Sequence, residues 1–438
     1  MSKIVLTEEA GVPSTPAAGK WTLYTKAGGL YYLDDAGSEI GPLSAGSSLT
    51  KAAYTDVATG TDDAKYVTSL AIKNSVNVPN VAPSTSGNIL TSNGTAWTSA
   101  AAVSSGELHN ALINGGFLLW QRITTATTAT PMSDDVYNAP DRWYSLVQGA
   151  NATINRNTGT GLGTSQYSAK LVAGGTTNRY GIAQIINSEN SIPYRGKTVI
   201  AQCKVQPTNN AGSGTRDYRI AILEWTGTAD TVTSEVVADW TSGTYTTAGF
   251  FASTTLTLVG TAAVTATHGA TSTLSVSGTV STSCNNLIVF IWAEDVPTHA
   301  SDYALIGECG LYVGAVAQTW TPLSEELEKQ RCYFYCYLLT HSGVGRAESA
   351  TLVGVVSQFP TMRTTPTASM LGTIKVRDLT GTTTRTATTP SFNGFAAAAG
   401  GAYMEILASS WAAANFTAGN LAALMCDAGN GALLQAEL

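Results

Sequence analysis

The stretch 286-NLIVFIWAE-294 decides the fold. Its seven residues from Leu287 to Ala293 are all apolar. Such a short run, rich in β-branched and aromatic side chains, reads as a strand. Alternate side chains on a strand point to opposite faces. A strand that is apolar at every position is therefore covered on both sides, and 287–293 is expected to be a buried central strand. Just upstream, 273-TLSVSGTV-280 alternates apolar and polar residues, as a strand with one wet face does. Just downstream, 303-YALIGECGLYVG-314 is again strand-like.

Working outward, further strands are expected at 141–147, 152–157, 167–173, 179–186, 197–205, 217–225, 233–240 and 253–260. The run 117-FLLWQR-122 is expected to be the first of the set, with Gly115-Gly116 before it acting as a hinge. About a dozen strands separated by turn residues point to an all-β chain whose body, residues 112–320, is a β-sandwich of jelly-roll type. A helix is expected in 319-TWTPLSEELEKQR-331, capped by Thr321, with Pro322 at its first position and Glu325 and Glu326 near its N-terminus. Strand structure should resume at 332-CYFYCYLL-339 and continue at 352–359, 372–379, 403–409 and 432–438. Residues 321–438 then form a short helix and a smaller β tip domain.

The first hundred residues are different. In 1–43, TLYTK (22–26) and LYYL (30–33), followed by the turn DDAGS (34–38), form a small meander. Within 44–111, 59-TGTDDAKYVTSLAIKNS-75 carries two helix starts, at Thr61 and Thr68. In 87-GNILTSNGTAW-97, Asn93-Gly94 is a strong hairpin signal. A lone hairpin is barely stable in water. Three copies about an axis would cover Ile89, Leu90 and Trp97, so this region reads as a trimeric neck or stalk.

Composition narrows the function. Only 12% of the 438 residues are charged and the net charge is -7, with no run of Lys or Arg to meet phosphates, which argues against a nucleic-acid partner. No apolar stretch is long enough to span a membrane. The start, MSKIVLTEEAG, lacks the pattern of a secretory signal, so synthesis in a cytoplasm is expected. Six cysteines, at 203, 284, 309, 332, 336 and 426, fall mostly in apolar runs without zinc spacing and are expected to be reduced core residues.

No catalytic, cofactor or metal constellation stands out. The four histidines are scattered, and no nucleophile elbow, P-loop or zinc motif occurs. Asp34-Asp35 and Asp62-Asp63 are expected to be a turn and a helix start, since neither has calcium-loop spacing. Glu294-Asp295 are adjacent on a strand and would face opposite ways, unlike the paired carboxylates of a glycosidase. In Asp141-Arg142-Trp143, Trp143 reads as core and Arg142 as a structural pairing residue. Trp225, Trp240 and Trp411 are the candidate ligand contacts: aromatics at strand ends and loops suit a glycan, and burial in the core is the alternative.

Several of these stretches together resemble tailed-bacteriophage fibre proteins. IVLTEEAGVPSTPAAGKWTLYTKAGGLYYLDDAGSE looks like their N-terminal segment, and TGTDDAKYVTSLAIKNS is similar to their short helical repeat, with Ser69 where proline is frequent. GNILTSNGTAW resembles their hairpins. LINGGFLLWQR, APDRWYSL and GLYVGAVAQTWTPLSEELEKQRCYF resemble the sandwich module that follows. FPTMRTTPTASM and LLQAEL are like their C-terminal domains. The resemblance implies a homotrimeric fibre of the virion, joined through residues 1–43 to tail, baseplate or capsid proteins and contacting a host cell-surface glycan. A fibre without a receptor, or a polysaccharide-degrading tailspike, are the alternatives.

Overall fold

The computed structural model describes residues 8–27, 29–42, 88–92, 97–101, 110–137, 140–149, 151–157, 159, 161–380, 384–398, 401–411 and 416–438. It describes the backbone alone for 88–92, 97–101, 341–342, 387–398 and 401–411. The chain is all-β, and it divides into two compact units, 1–104 and 105–438. The helices expected in 59–75 lie outside the described residues.

In the first unit, β1 (Thr22–Lys26), β2 (Gly29–Leu33) and β3 (Glu39–Ile40) form the expected antiparallel meander. Asp34 closes its turn by accepting from the N–H groups of Ala36 and Ser38 at 3.0 and 2.7 Å. One face buries Tyr24, Tyr31 and Leu33. On the other, Trp21 (62% exposed), Leu23 and Ile40 remain in solvent, with Trp21 against Tyr32 at 4.6 Å between centroids. Strands β4 (Asn88–Ser92) and β5 (Trp97–Ala101) pair antiparallel as the expected hairpin. The side chains proposed to fill its interior, Ile89, Leu90 and Trp97, lie outside the description.

The second unit opens with a sandwich. Its strands are β6 (Thr130–Pro131), β7 (Tyr144–Val147), β8 (Thr153–Arg156), β9 (Ala169–Val172), β10 (Tyr180–Ile186), β11 (Thr198–Thr208), β12 (Thr215–Trp225), β13 (Leu256–Thr267), β14 (Ser272–Thr279), β15 (Asn286–Ala293) and β16 (Tyr303–Val313). They form one sheet ordered β13-β12-β15-β10-β7 and a second ordered β14-β11-β16-β9-β8-β6. Strands β9 to β16 thus pair as 9-16-11-14 and 10-15-12-13, the strand order of a jelly roll.

Strand β15 is the buried central strand its sequence requires. Leu287, Val289 and Ile291 face the second sheet, where they meet Val199, Ala201 and Leu311. Ile288, Phe290 and Trp292 face outward and are covered by Val236, Val237, Trp240, Phe250 and Phe251. Those residues belong to the 226–255 connection between β12 and β13. Phe290 stacks on Trp292 at 4.5 Å and 12°, and Phe250 stacks on Trp292 at 5.3 Å and 18°. The loop therefore acts as a third layer, which explains why no residue of β15 is polar between 287 and 293.

Two expected strands are corrected here. Residues 233–240 form no strand; an isolated bridge, Val237 to Phe251, is their only ladder contact among the described residues. Their apolar side chains serve as a lid on the sheet, and the Thr- and Gly-rich flanks let the backbone turn back on itself. Residues 117–122 are likewise turns and coil. Asn114 and Phe117 adopt positive φ of 57° and 54°, which breaks any extended run. The Asn114 side chain replaces the missing ladder, since its Oδ1 accepts from Leu119 N–H at 3.0 Å and its Nδ2 donates to the carbonyls of Leu119 and Asp141 at 2.9 and 3.1 Å. The glycine pair is no hinge either. A Cβ on Gly115 would lie 2.1 Å from the Cys309 carbonyl oxygen, and one on Gly116 3.0 Å from Trp320. Both glycines permit close packing.

The helix α1 spans Glu325–Tyr333, three residues later than Pro322 suggested. Ser324, and not Thr321, is its N-cap, accepting from the Leu327 N–H. Strand structure resumes at β17 (Cys336–Leu339), so 332–335 belong to the helix end and a turn. The remaining strands are β18 (His341–Ala347), β19 (Leu352–Phe359), β20 (Thr367–Leu371), β21 (Lys375–Asp378), β22 (Thr384–Ala398), β23 (Gly401–Trp411), β24 (Leu421–Met425) and β25 (Gly431–Gln435). Six close into a barrel, β18-β19-β23-β22-β21-β24, and β17-β25-β20 make a small sheet. The chain end then returns to the sandwich, where the Glu437 carboxylate pairs with the buried Arg122 and Arg142 and Arg363 donates to the Ala436 and Glu437 carbonyls. All six cysteines are buried and free, as expected.

Candidate functional site

A cavity of about 760 Å³ lies beside α1. Its first wall is 110–113, fixed by side chains from elsewhere in the sandwich. Gln184, buried in β10, accepts from the Ile113 N–H at 2.7 Å and donates to its carbonyl at 2.8 Å. Asn110 donates to the Cys309 carbonyl at 2.8 Å and accepts from Leu112 and Leu311 at 3.0 Å each.

The second wall is the helix. Only Cys332 within α1 is buried, so its own apolar content does not hold it in place. Polar ties do: Glu328 accepts from the Asn114 N–H, and Arg331 donates to the Asn110 carbonyl at 3.0 Å. Upstream, Gln202 of β11 donates to the Gln318 carbonyl at 2.6 Å and accepts from its N–H at 2.7 Å, anchoring the segment that leads into the helix. Tyr335 and Phe334 follow the helix, edge to face at 5.2 Å and 86°. Behind the buried Tyr335 ring, 3.6 Å from its centroid, lies the Arg142 guanidinium. Burial pushes the Tyr335 hydroxyl up, with Arg142 opposing, so it stays a neutral donor.

The third wall is the 190–197 part of the connection between β10 and β11, which runs through a helical turn at Ser188–Ser191 and a 3-10 turn at Ile192–Tyr194 and carries Asn190, Pro193, Tyr194 and Lys197. Tyr194 and Phe334 are half-buried, while Gln330 and Leu327 are exposed, the latter at 52%. The cavity shares Asn110 and Arg331 with a neighbour of about 390 Å³ lined by Trp320, Tyr312 and Glu328 among others. Aromatic surface, amides and two cations line this trough beside α1. Such a surface can stack on the apolar face of a ring while hydrogen-bonding its polar rim.

The tryptophans singled out in the sequence are not part of it. Trp225 ends β12, half-buried, and its indole N–H donates to the Thr228 carbonyl at 2.8 Å. Trp240 is 9% exposed, edge-on to Phe250 and Phe290, because the loop carrying it folds down onto the sheet. Trp411 ends β23, and its side chain lies outside the description. Trp143 is core, at 1% exposure, and Arg142 pairs with Glu437, as expected.

Glu294 is fully engaged. Arg219 holds both oxygens at 2.9 and 2.8 Å, and the Tyr245 hydroxyl donates to one of them. Burial alone would raise its carboxyl, but the hydrogen bonds from Arg219 and Tyr245 outweigh that and hold it below the usual range. Asp295 accepts instead from the Asp217 N–H at 2.8 Å. Among the described residues no cluster of three or more His, Cys, Asp or Glu is placed to hold a metal ion, and no helix is long and apolar enough to cross a membrane.

The trough was not legible in the sequence because its walls come from 110–113, 190–197 and 327–335. One local signal was present: Tyr333-Phe334-Tyr335 places three aromatics together at the end of an otherwise polar helix, and two of them, Phe334 and Tyr335, line the cavity.

No protein-family model matches the chain, and no curated protein does. Solved structures similar to parts of it include the CBM22-1 xylan-binding domain of Paenibacillus barcinonensis Xyn10C, at 14% identity and a TM-score of 0.26, covering 44% of this chain and 100% of that one. A second is the enzymatically active domain of bacteriophage CBA120 tailspike protein 4, at 9% identity and 0.27, covering 47% of this chain and 21% of that one. A third is the CBM22-1-GH10 portion of Clostridium thermocellum xylanase 10B, at 9% and 0.25, covering 44% and 30%. These scores lie below the level at which a likeness carries an argument, so the chain's own residues must carry the functional reading.

Proposed function

We propose that the chain is a homotrimeric, virion-attached fibre protein of a tailed bacteriophage, and that its 105–438 unit takes a host-surface saccharide into the trough beside α1. The observation that carries the binding part is the trough's lining: the half-buried Tyr194 and Phe334 offer ring surface, and Asn190, Gln330 and Arg331 offer hydrogen-bonding groups around it. That combination suits sugars, whose rings have apolar faces and polar edges. The phage assignment is supported by the stretches quoted from the sequence, and residues 1–43 are the part proposed to meet tail, baseplate or capsid proteins.

The proposed role is binding, with no turnover. Glu294 is committed to Arg219 and Tyr245 and has no proton to give a leaving group, which argues against it as a general acid. Single-site affinity for a sugar is expected near the millimolar range, about -4 kcal/mol, and display of several copies multiplies it.

The test is a glycan-array screen of the full-length protein, of Phe334→Ala, and of Gln330→Ala as a surface change that spares the fold. Binding to a surface glycan, weakened roughly tenfold or more by Phe334→Ala and measurably by Gln330→Ala, is expected. Binding untouched by both substitutions would move the site elsewhere. Absence of binding to any glycan would leave a structural fibre without a receptor.

A further inference from the structure

Resting on the saccharide reading, we infer that the trough selects acidic saccharides, meaning chains whose sugars carry a carboxylate or a phosphate. The chain holds 30 acidic residues against 23 Lys and Arg, yet the described residues lining the main cavity include Lys197 and Arg331 and no carboxylate. The one acid lining the neighbouring cavity, Glu328, is committed to the Asn114 N–H. A sugar in the main cavity therefore meets the Arg331 guanidinium with no carboxylate among the described residues of the lining.

Geometry places the Arg331 charge for this. One terminal nitrogen donates to the Asn110 carbonyl at 3.0 Å, which orients the guanidinium along the wall. Among the described residues Arg331 has no acidic partner, and a guanidinium has five N–H donors in a planar fork that matches a carboxylate or phosphate. Lys197 lines the same cavity, its backbone fixed by its own N–H to the Tyr194 carbonyl at 3.0 Å and by the Val280 N–H to its carbonyl at 3.0 Å. Asn190 and Gln330 lie in the same lining, where their amides suit hydroxyl groups. The net charge of -7 repels polyanions at long range, so a preference for acidic sugar has to arise at a local site.

The experiment titrates the full-length protein by calorimetry with three oligosaccharides of equal length: a neutral glucan, a polyuronate and a phosphate-bearing glycan. At low salt at least one acidic ligand should bind roughly tenfold or more tightly than the glucan, and the margin should shrink as salt is added. Comparing the two acidic arms tells which anion the site takes. Arg331→Gln should remove the preference while leaving weak binding of the neutral chain. Lys197→Gln, which leaves the Arg331–Asn110 contact in place, should reduce it, with the melting temperature of each variant followed in parallel. Equal binding of neutral and acidic ligands, or a preference that survives both substitutions, overturns the acidic selection and leaves the saccharide reading standing. Binding of none of the three, on folded protein, contradicts both.

Discussion

At the residue scale, the structure is tied together by a few buried polar groups. Asp141 is one: its carboxylate accepts from the Gln121 N–H at 2.9 Å and from the Gln121 side chain at 2.6 Å. Burial raises it from 3.8 to about 6, with Arg122 and the Gln121 hydrogen bonds pulling the other way. Between those two values the folded protein holds a proton that the unfolded chain has released. The associated stability is thus fully present below pH about 4 and is lost as the pH rises through about 6. Asp141→Asn removes this dependence. Denaturant unfolding of both proteins should show the difference moving in favour of the variant by about 2–3 kcal/mol between pH 4 and pH 8. The slope is the readout, because the amide also disturbs one Gln121 contact at every pH. A difference that stays flat with pH would mean that Asp141 is ionised throughout.

At the element scale, strands were legible wherever their apolar pattern was set by the sheet they join. Strand β15 is covered on both faces and β14 on one, with Leu274 and Val276 buried and their neighbours wetter, as their sequences require. Segments held by side chains and not by a strand ladder were not legible. In 117–122 the apolar run looks like a strand, but its backbone is organised by the Asn114 side chain, which local periodicity cannot reveal. In 233–240 apolar residues serve a lid and not a ladder. The start of α1 was misplaced because Thr321-Pro322 and Ser324-Glu325 are both sound starting signals, and the choice falls on the one whose hydroxyl meets the Leu327 N–H. Replacing Ser324 by Ala should therefore cost about 1 kcal/mol in thermal or denaturant unfolding, and Thr321→Ala close to nothing. The reverse ranking would contradict the observed cap.

At the scale of the whole molecule, two observations bear on assembly and contact. The meander of 22–40 buries only Tyr24, Tyr31 and Leu33 on one face, and leaves Trp21, Leu23 and Ile40 exposed on the other. So small a core is marginal for a free-standing domain, and the proposed trimer should appear in light scattering of the full-length protein as a mass three times that of the chain. A stable monomer would contradict it. The trough beside α1, by contrast, has its walls brought together by Gln184, Asn110 and Gln202. The claim that this trough is the host-contact site is tested most directly by competition. Purified protein is pre-incubated with host cells and the adsorption rate of the phage is then measured. Unmodified protein should slow adsorption in proportion to its concentration, and Phe334→Ala, shown to be folded, should slow it far less. Equal blocking by both proteins, or blocking by neither, would contradict the account.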